Sequence, residues 1–265
     1  IHPASLSVRL SAENAPQELQ QLIYSFNDML GRLAEGYQRL TQFSADLAHE
    51  IRTPVGALMG HCQVALYQPR SVEEYETLLA NNMEELERIS RMVENILFLA
   101  RASDARSVLT ITRIDVSSEM TRIQEYFEGL AEEREMTLSA TGEGTLHADA
   151  MLFQRALSNL VANAVRYGRE GSTITLHAQS RLHGMEIHVV SQGEPIPDEK
   201  IGKLFDRFYR ADASRSEGGS SSGLGLSIVQ ARMALHQGSA RLSSSDVRET
   251  RFNPSFPVPD YKFAT

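Results

Sequence analysis

From Leu19 the apolar positions run Leu19, Leu22, Phe26, Leu30, Leu33, Tyr37 and Leu40, in steps of three and four residues. That is the seam spacing of a coiled coil. After a polar Ser44 the stripe continues through Leu47, Ile51, Val55 and Leu58. The pattern predicts one long helix, entered at Pro16, a residue suited to a first turn. Tyr67-Gln-Pro-Arg-Ser71 interrupts it, with Pro69 as the turn signal. A second helix then carries Tyr75, Leu79, Asn82, Leu86, Ile89, Val93, Ile96 and Ala100 in the same rhythm. Two helices with wide apolar stripes cannot bury both faces as a hairpin, so the pattern predicts a homodimeric four-helix bundle.

After Arg101-Ala-Ser-Asp104 the periodicity changes. Leu109, Ile111 and Ile114 suggest a strand, Ser117 to Glu135 an amphipathic helix, and Met136 to Ala140 a short strand. Asp149 is a good N-cap for a helix whose apolar face holds Leu152, Phe153, Ala156, Leu157, Leu160 and Val161. Thr173 to Gln179 and Met185 to Val190 alternate about Arg181-Leu-His-Gly184, which reads as an antiparallel hairpin with Ile174, Leu176, Ile187 and Val189 inward. The second half is therefore an α+β domain, helices over a sheet. No internal repeat is present, and Ser214 to Gly223 is a flexible loop by composition.

Composition adds bounds. A chain of 265 residues, 42% hydrophobic and 23% charged, is ordinary globular material with room for two modest domains. Its net charge of −8, without a Lys/Arg cluster, argues against a nucleic-acid binder. Cys62 is the single cysteine, so no intrachain disulfide can form, which suits a reducing compartment. No run reaches the roughly 18 to 20 apolar residues of a membrane helix, and no signal peptide is seen. The chain begins at Ile1 instead of Met, which suggests a piece of a longer protein.

One stretch of the first helix, FSADLAHEIRTPVGAL from Phe43 to Leu58, carries candidate chemistry. At about 100° per residue His49 stands about 200° from Leu47, on the solvent side, with Arg52 and Thr53 on its own face and Glu50 beside it. An imidazole next to a carboxylate that can take or hold its proton is what general-base or nucleophilic chemistry requires. From geometry alone a solvated polar face is the more ordinary reading, because exposed charged helix residues need no function. A metalloprotease does not, because Thr53 stands where H-E-x-x-H needs its second histidine. Pro54 removes one helix hydrogen bond and predicts a kink just beyond the histidine.

The string His49-Glu-Ile-Arg-Thr-Pro54 closely resembles the H box of sensor histidine kinases. The resemblance implies that ATP phosphorylates His49 on a ring nitrogen, with Glu50 as acid/base neighbour, Arg52 on the same face, and Thr53 assisting phosphatase activity on a partner regulator. The other boxes of that family follow in order. Asn159-Leu-Val-Ala-Asn163-Ala-Val-Arg166-Tyr167 resembles the N box: two amides four residues apart share a helix face, where their oxygens can hold Mg²⁺ against phosphate. Arg166 would add positive charge at the triphosphate. Leu204-Phe-Asp-Arg-Phe208-Tyr-Arg210 resembles the F box, with Phe205, Phe208 and Tyr209 anchoring a nucleotide lid and Arg210 near the phosphates. Gly223-Leu224-Gly225-Leu226 resembles the second glycine box, whose backbone amides at a helix start can approach phosphates.

The first glycine box departs from the pattern. Asp-x-Gly-x-Gly falls on Ser191-Gln-Gly193-Glu-Pro195, so Ser191 replaces the aspartate that accepts the adenine amino hydrogen, and only Gly193 remains. Exchanging a charge-assisted bond for a neutral one costs about 1.5 to 3 kcal/mol, roughly tenfold to a hundredfold in affinity. Ser221 likewise stands at the leading glycine of the second box. Weak ATP binding or altered base selectivity is the expectation.

The resemblance extends over nearly the whole chain. It implies a HAMP-like linker and signalling helix over 1–39, a dimerisation and histidine phosphotransfer domain over 40–104, and a catalytic and ATP-binding domain of the Bergerat fold, an α/β sandwich, over 105–265. The segment from Phe26 to Pro54 is most similar to the heavy-metal sensor subgroup, whose members answer to copper, silver and related ions. It further implies ATP and Mg²⁺ as cofactors, a homodimer, a response-regulator receiver domain as partner, and the cytoplasmic part of a bacterial inner-membrane receptor whose sensing and membrane segments precede Ile1. A degenerate kinase, acting as a regulator-binding phosphatase or scaffold without ATP turnover, is the competing reading, favoured by Ser191.

Overall fold

The computed structural model describes residues 8–11, 16–102, 109–182, 184–210, 223–245 and 249–257. Two compact units divide the chain, residues 1–89 and 90–265. The expected Gly-Ser loop, apart from Gly223, and Ser221 within it lie outside the described residues, as does most of the linker after Arg101.

In the first unit α1 spans Gln17–Tyr67 without a break, with Pro16 at its N-cap and Pro54 inside it. Many of its seam residues toward the N-terminus are exposed, Leu22 at 65%, Leu33 at 52% and Leu40 at 61%, so the described residues leave that part of the stripe largely uncovered, while Leu47, Ile51 and Leu58 are half-buried. The turn ends in a capping box: Ser71 Oγ accepts from the Glu74 N–H at 3.2 Å, and the Glu74 carboxylate accepts from the Ser71 N–H at 2.9 Å. From there α2 runs Val72–Ala102. Polar Asn82 in the second stripe is explained by its partners across the hairpin, His61 Nδ1 at 2.9 Å and the Cys62 Sγ at 3.8 Å. The Tyr75 hydroxyl adds a bond to the Ala65 carbonyl at 3.3 Å.

The second unit is a two-layer α/β sandwich. Strand β1 (Ile111–Asp115) pairs antiparallel with β3 (Thr145–Asp149). A five-stranded sheet has the order β2-β4-β5-β7-β6, from β2 (Thr137–Gly142), β4 (Thr173–Arg181), β5 (Gly184–Gln192), β7 (Glu249–Pro257) and β6 (Ser239–Ser245). Only β2 and β4 run parallel within it. Helices α3 (Val116–Glu132), α4 (Ala150–Tyr167) and α6 (Gly225–Leu235) share one core with the sheet, and α5 is a single turn, Asp198–Ile201.

The alternation read from sequence places Ile174, Leu176, Ile187 and Val189 fully inside. Both N-caps are aspartates: Asp115 accepts from the Ser117 N–H at 3.2 Å and Asp149 from the Leu152 N–H at 3.1 Å. Helix α3 ends three residues before the predicted Glu135, because Glu135 takes φ 55° and the Met136 N–H turns back to the Ala131 carbonyl at 2.9 Å. Arg134 then reaches the carbonyls of Val165 and Arg166 and closes the C-terminus of α4.

Candidate phosphoacceptor helix and nucleotide cleft

His49 is exposed on α1, with Arg52 and Thr53 exposed on the same face and Glu50 half-buried next to it. The imidazole and the Glu50 carboxylate have no hydrogen-bond partner among the described residues, so the ring is accessible from outside. Thr53 donates its hydroxyl to the His49 carbonyl at 3.3 Å. That bond turns the Thr53 hydroxyl back onto its own helix, one residue before Pro54.

The second site lies in the other unit, where the inward series of two neighbouring strands runs past the helices that cover it. Along β5 the buried positions are Met185, Ile187, Val189 and Ser191; along β7 they are Thr250, Phe252, Pro254 and Phe256. Ser191 and Thr250 are cross-strand partners at that end of the sheet. Together with Gly193, Ile196, Phe252, Asn163 of α4 and Gly225 of α6 they line a cleft of about 220 Å³.

One rim is the start of α6. Leu224 at its N-cap offers no side-chain bond, so among the described residues the first amides of the helix have no side-chain cap. Gly225 sits against the Asn163 amide, a β-carbon there falling 3.9 Å from Nδ2. Lys200, Arg210 and Glu194 also line the cleft. Gly193 passes so close to the end of α4 that a β-carbon would stand 3.1 Å from the Tyr167 carbonyl oxygen.

Of the residues singled out from sequence, Asn163, Tyr167, Ser191, Gly193, Arg210, Gly223 and Gly225 line this cleft. Asn159, half-buried one turn back on α4, does not, and neither do Arg166, Phe208 and Leu224. Leu224 is fully buried, while Phe208 turns at φ 62° behind Gly223. His49, Glu50, Arg52 and Thr53 belong to the other unit. Sequence reasoning missed Lys200, Ile196 and Thr250. Lys200 falls between two quoted boxes and could have been found as a cation near a glycine-rich segment; Thr250 gave no signal.

The donor set fits a nucleoside triphosphate with a divalent cation. Ile196, Leu204 and Phe252 offer apolar surface to a planar base, and buried hydroxyls lie at the floor. Uncapped amides, Lys200 and Arg210 offer positive potential to phosphates. The Asn163 carbonyl is a hard oxygen ligand of the kind Mg²⁺ accepts.

Comparison with known proteins finds a family match over each of the two regions. Residues 39–105 match the His Kinase A (phospho-acceptor) domain, and residues 148–260 the histidine kinase-, DNA gyrase B- and HSP90-like ATPase family. The chain is 42% identical over 253 residues to the sensor protein CzcS of Cupriavidus metallidurans, covering 96% of this chain and 53% of that protein. It is 41% identical over 254 residues to the sensor histidine kinase CusS of Escherichia coli K12, again covering 96% and 53%. The chain thus spans about half the length of these relatives. Among solved structures, the Acinetobacter baumannii histidine kinase AdeS has the same fold, with a TM-score of 0.64, 21% identity, and coverage of 80% of this chain and 98% of that one.

Proposed function

The chain belongs to the sensor histidine kinase family, and from that premise we propose that it moves the γ-phosphoryl group of ATP to His49 and then to an aspartate of a response regulator. A ring nitrogen of His49 forms a bond to the γ-phosphorus, the bond to the β–γ bridging oxygen breaks, and ADP leaves. Glu50 takes or holds the proton that the imidazole sheds as its charge changes. Thr53, on the same face, supports the reverse traffic, in which water removes phosphate from the regulator.

Nucleotide binding rests on the cleft. Asn163, with Asn159 behind it on α4, would hold Mg²⁺, which when bound neutralises charge on the phosphate oxygens. Lys200, Arg210 and the amides that open α6 orient the phosphates, and Arg166 lies one turn beyond Asn163 as a further cation. Phosphoryl transfer needs positioning and charge compensation more than covalent help, and these groups offer both. The single observation that carries the reading is the exposed, unpartnered imidazole of His49 beside Glu50 on a chain that also holds this cleft.

The exposed apolar stripes of α1 and α2 support a homodimer in which four helices bury one seam, with residues 1–39 acting as a HAMP-like signalling helix, 40–104 as the phosphotransfer bundle and 105–265 as the catalytic domain. No helix among the described residues is long and apolar enough to cross a membrane. The relatives' names, a sensor protein and a sensor histidine kinase, support the reading of this chain as part of a sensor, and the resemblance of Phe26 to Pro54 to the heavy-metal sensor subgroup favours the cytoplasmic part of an inner-membrane receptor responsive to metal ions.

Incubation with γ-labelled ATP and Mg²⁺ tests the proposal: the parent chain acquires acid-labile, base-stable phosphate, while His49→Gln acquires none and still binds ATP. Label retained on His49→Gln removes His49 from the role. The uncharged Ser191 favours a second reading, a regulator-binding phosphatase or scaffold; neither label nor ATP binding on the parent would select it.

A further inference from the structure

The floor of the cleft carries more information than its lining. Ser191 and Thr250 are 6% and 8% exposed, are cross-strand partners, and both face the cavity. Neither hydroxyl has a hydrogen-bond partner among the described residues. The charged residues of the cleft are less buried, Glu194 being exposed and Lys200 and Arg210 intermediate. The most deeply placed polar groups are therefore two neutral rotors awaiting a ligand, flanked by Ile196 and Phe252.

A hydroxyl differs from a carboxylate or an ammonium in that it can donate or accept by rotating. Purines differ at C6 in the same sense: adenine presents an amino donor beside an acceptor N1, and a 6-oxopurine presents an acceptor oxygen beside an N1–H donor. Sites discriminate strongly when the wrong ligand leaves a buried polar group unpaired. Two adjacent rotors leave none unpaired with either base.

Building on the nucleotide-binding reading above, we infer that this cleft accepts 6-oxopurine nucleoside triphosphates alongside ATP, with Ser191 and Thr250 as the base-reading residues. Inosine triphosphate is the cleanest probe, because its base differs from adenine only at C6 and N1. Calorimetric titration of the 265-residue chain with Mg²⁺ and either ATP or inosine triphosphate is expected to give affinities within about tenfold of each other. In Ser191→Asp, where a fixed carboxylate acceptor replaces one of the two rotors and favours an amino donor at C6, the ratio is expected to widen in favour of ATP by about tenfold or more. Ser191→Ala, which asks little of the fold, is expected to weaken both ligands by a similar factor. A parent preference for ATP above about a hundredfold, or a Ser191→Ala variant that loses affinity for ATP alone, overturns the inference while leaving the nucleotide site standing. Failure of the parent to bind ATP removes the nucleotide reading and this inference together.

Discussion

The N–H of Phe208 donates to the carbonyl of Gly223 at 3.1 Å, and both residues stand in the left-handed region, at φ 62° and 64°. A β-carbon on Gly223 would lie 2.7 Å from the Phe208 carbonyl carbon, closer than real contacts allow. The two turns therefore interlock at the mouth of α6, with Gly223 lining the cleft. Gly223→Ala meets a left-handed penalty of roughly 1 to 2 kcal/mol together with the clash. ATP affinity is expected to fall at least about tenfold by calorimetry, with an unchanged far-ultraviolet circular dichroism spectrum. Unchanged affinity would mean that this turn does not shape the site.

How far the sequence reached follows from the same kind of detail. The seam of α1, the hairpin β4–β5 and the Asp149 N-cap were legible because each repeats at a fixed period or sits at a fixed offset. Strand β7 was not, because Pro254 lies within it, and a proline inside a run argues against a strand. The ladder to β5 accommodates it by passing from Glu186↔Ser255 directly to Val189↔Phe252, while His188 Nδ1 meets Asn253 Oδ1 at 2.7 Å. Missing β7 meant missing Thr250. The cleft residues inside motifs were readable from spacing, whereas those contributed by strand pairing needed the fold.

His236 ties two elements that frame the cleft. Its Nδ1–H donates to the Arg232 carbonyl at 2.7 Å, and Nε2 accepts the Asp149 N–H at 3.0 Å, so the neutral ring joins the end of α6 to the start of α4. Its ring also packs edge-on against Phe256, centroids 5.6 Å apart. His236→Phe keeps the ring and loses both bonds, leaving a part-buried donor unmatched. A loss of about 1 to 3 kcal/mol in urea denaturation is expected. No change would show that the contact is one of packing only.

The N-cap of α3 should respond to acid. Hydroxyl bonds from Ser118 at 2.8 Å and Ser117 at 2.9 Å hold the Asp115 carboxyl below its usual 3.8. A carboxyl depressed in the folded state contributes stability above its unfolded value, and that contribution is lost as pH falls through the folded value. The window therefore opens below about pH 4. Asp115 is exposed, so the effect is modest and shrinks with salt. Asp115→Asn is expected to be less stable at neutral pH and to lose less on acidification than the parent, measured by denaturant midpoints at neutral pH and about pH 3. Parallel curves for the two proteins would remove Asp115 from the acid response.

Arg232 presents the opposite balance. It is 2% exposed, its Nε and Nη1 have no partner among the described residues, and it stacks on the Phe98 ring at 5.0 Å. Burial, with a smaller push from Arg155, lowers it from its ordinary value to about 10. For a base depressed by folding, the unfolded chain holds the extra proton only between those two values, so at neutral pH the penalty for burying charge is present in full. The cation–π contact returns about 1 to 2 kcal/mol at most. Replacing the guanidinium with an apolar chain of similar length removes the larger cost. Arg232→Met is therefore expected to stabilise the unit by on the order of 1 to 3 kcal/mol and to raise its midpoint by about 2 to 4 °C for each, read by thermal denaturation. A lower midpoint would instead mean that the guanidinium finds an anionic partner in solution.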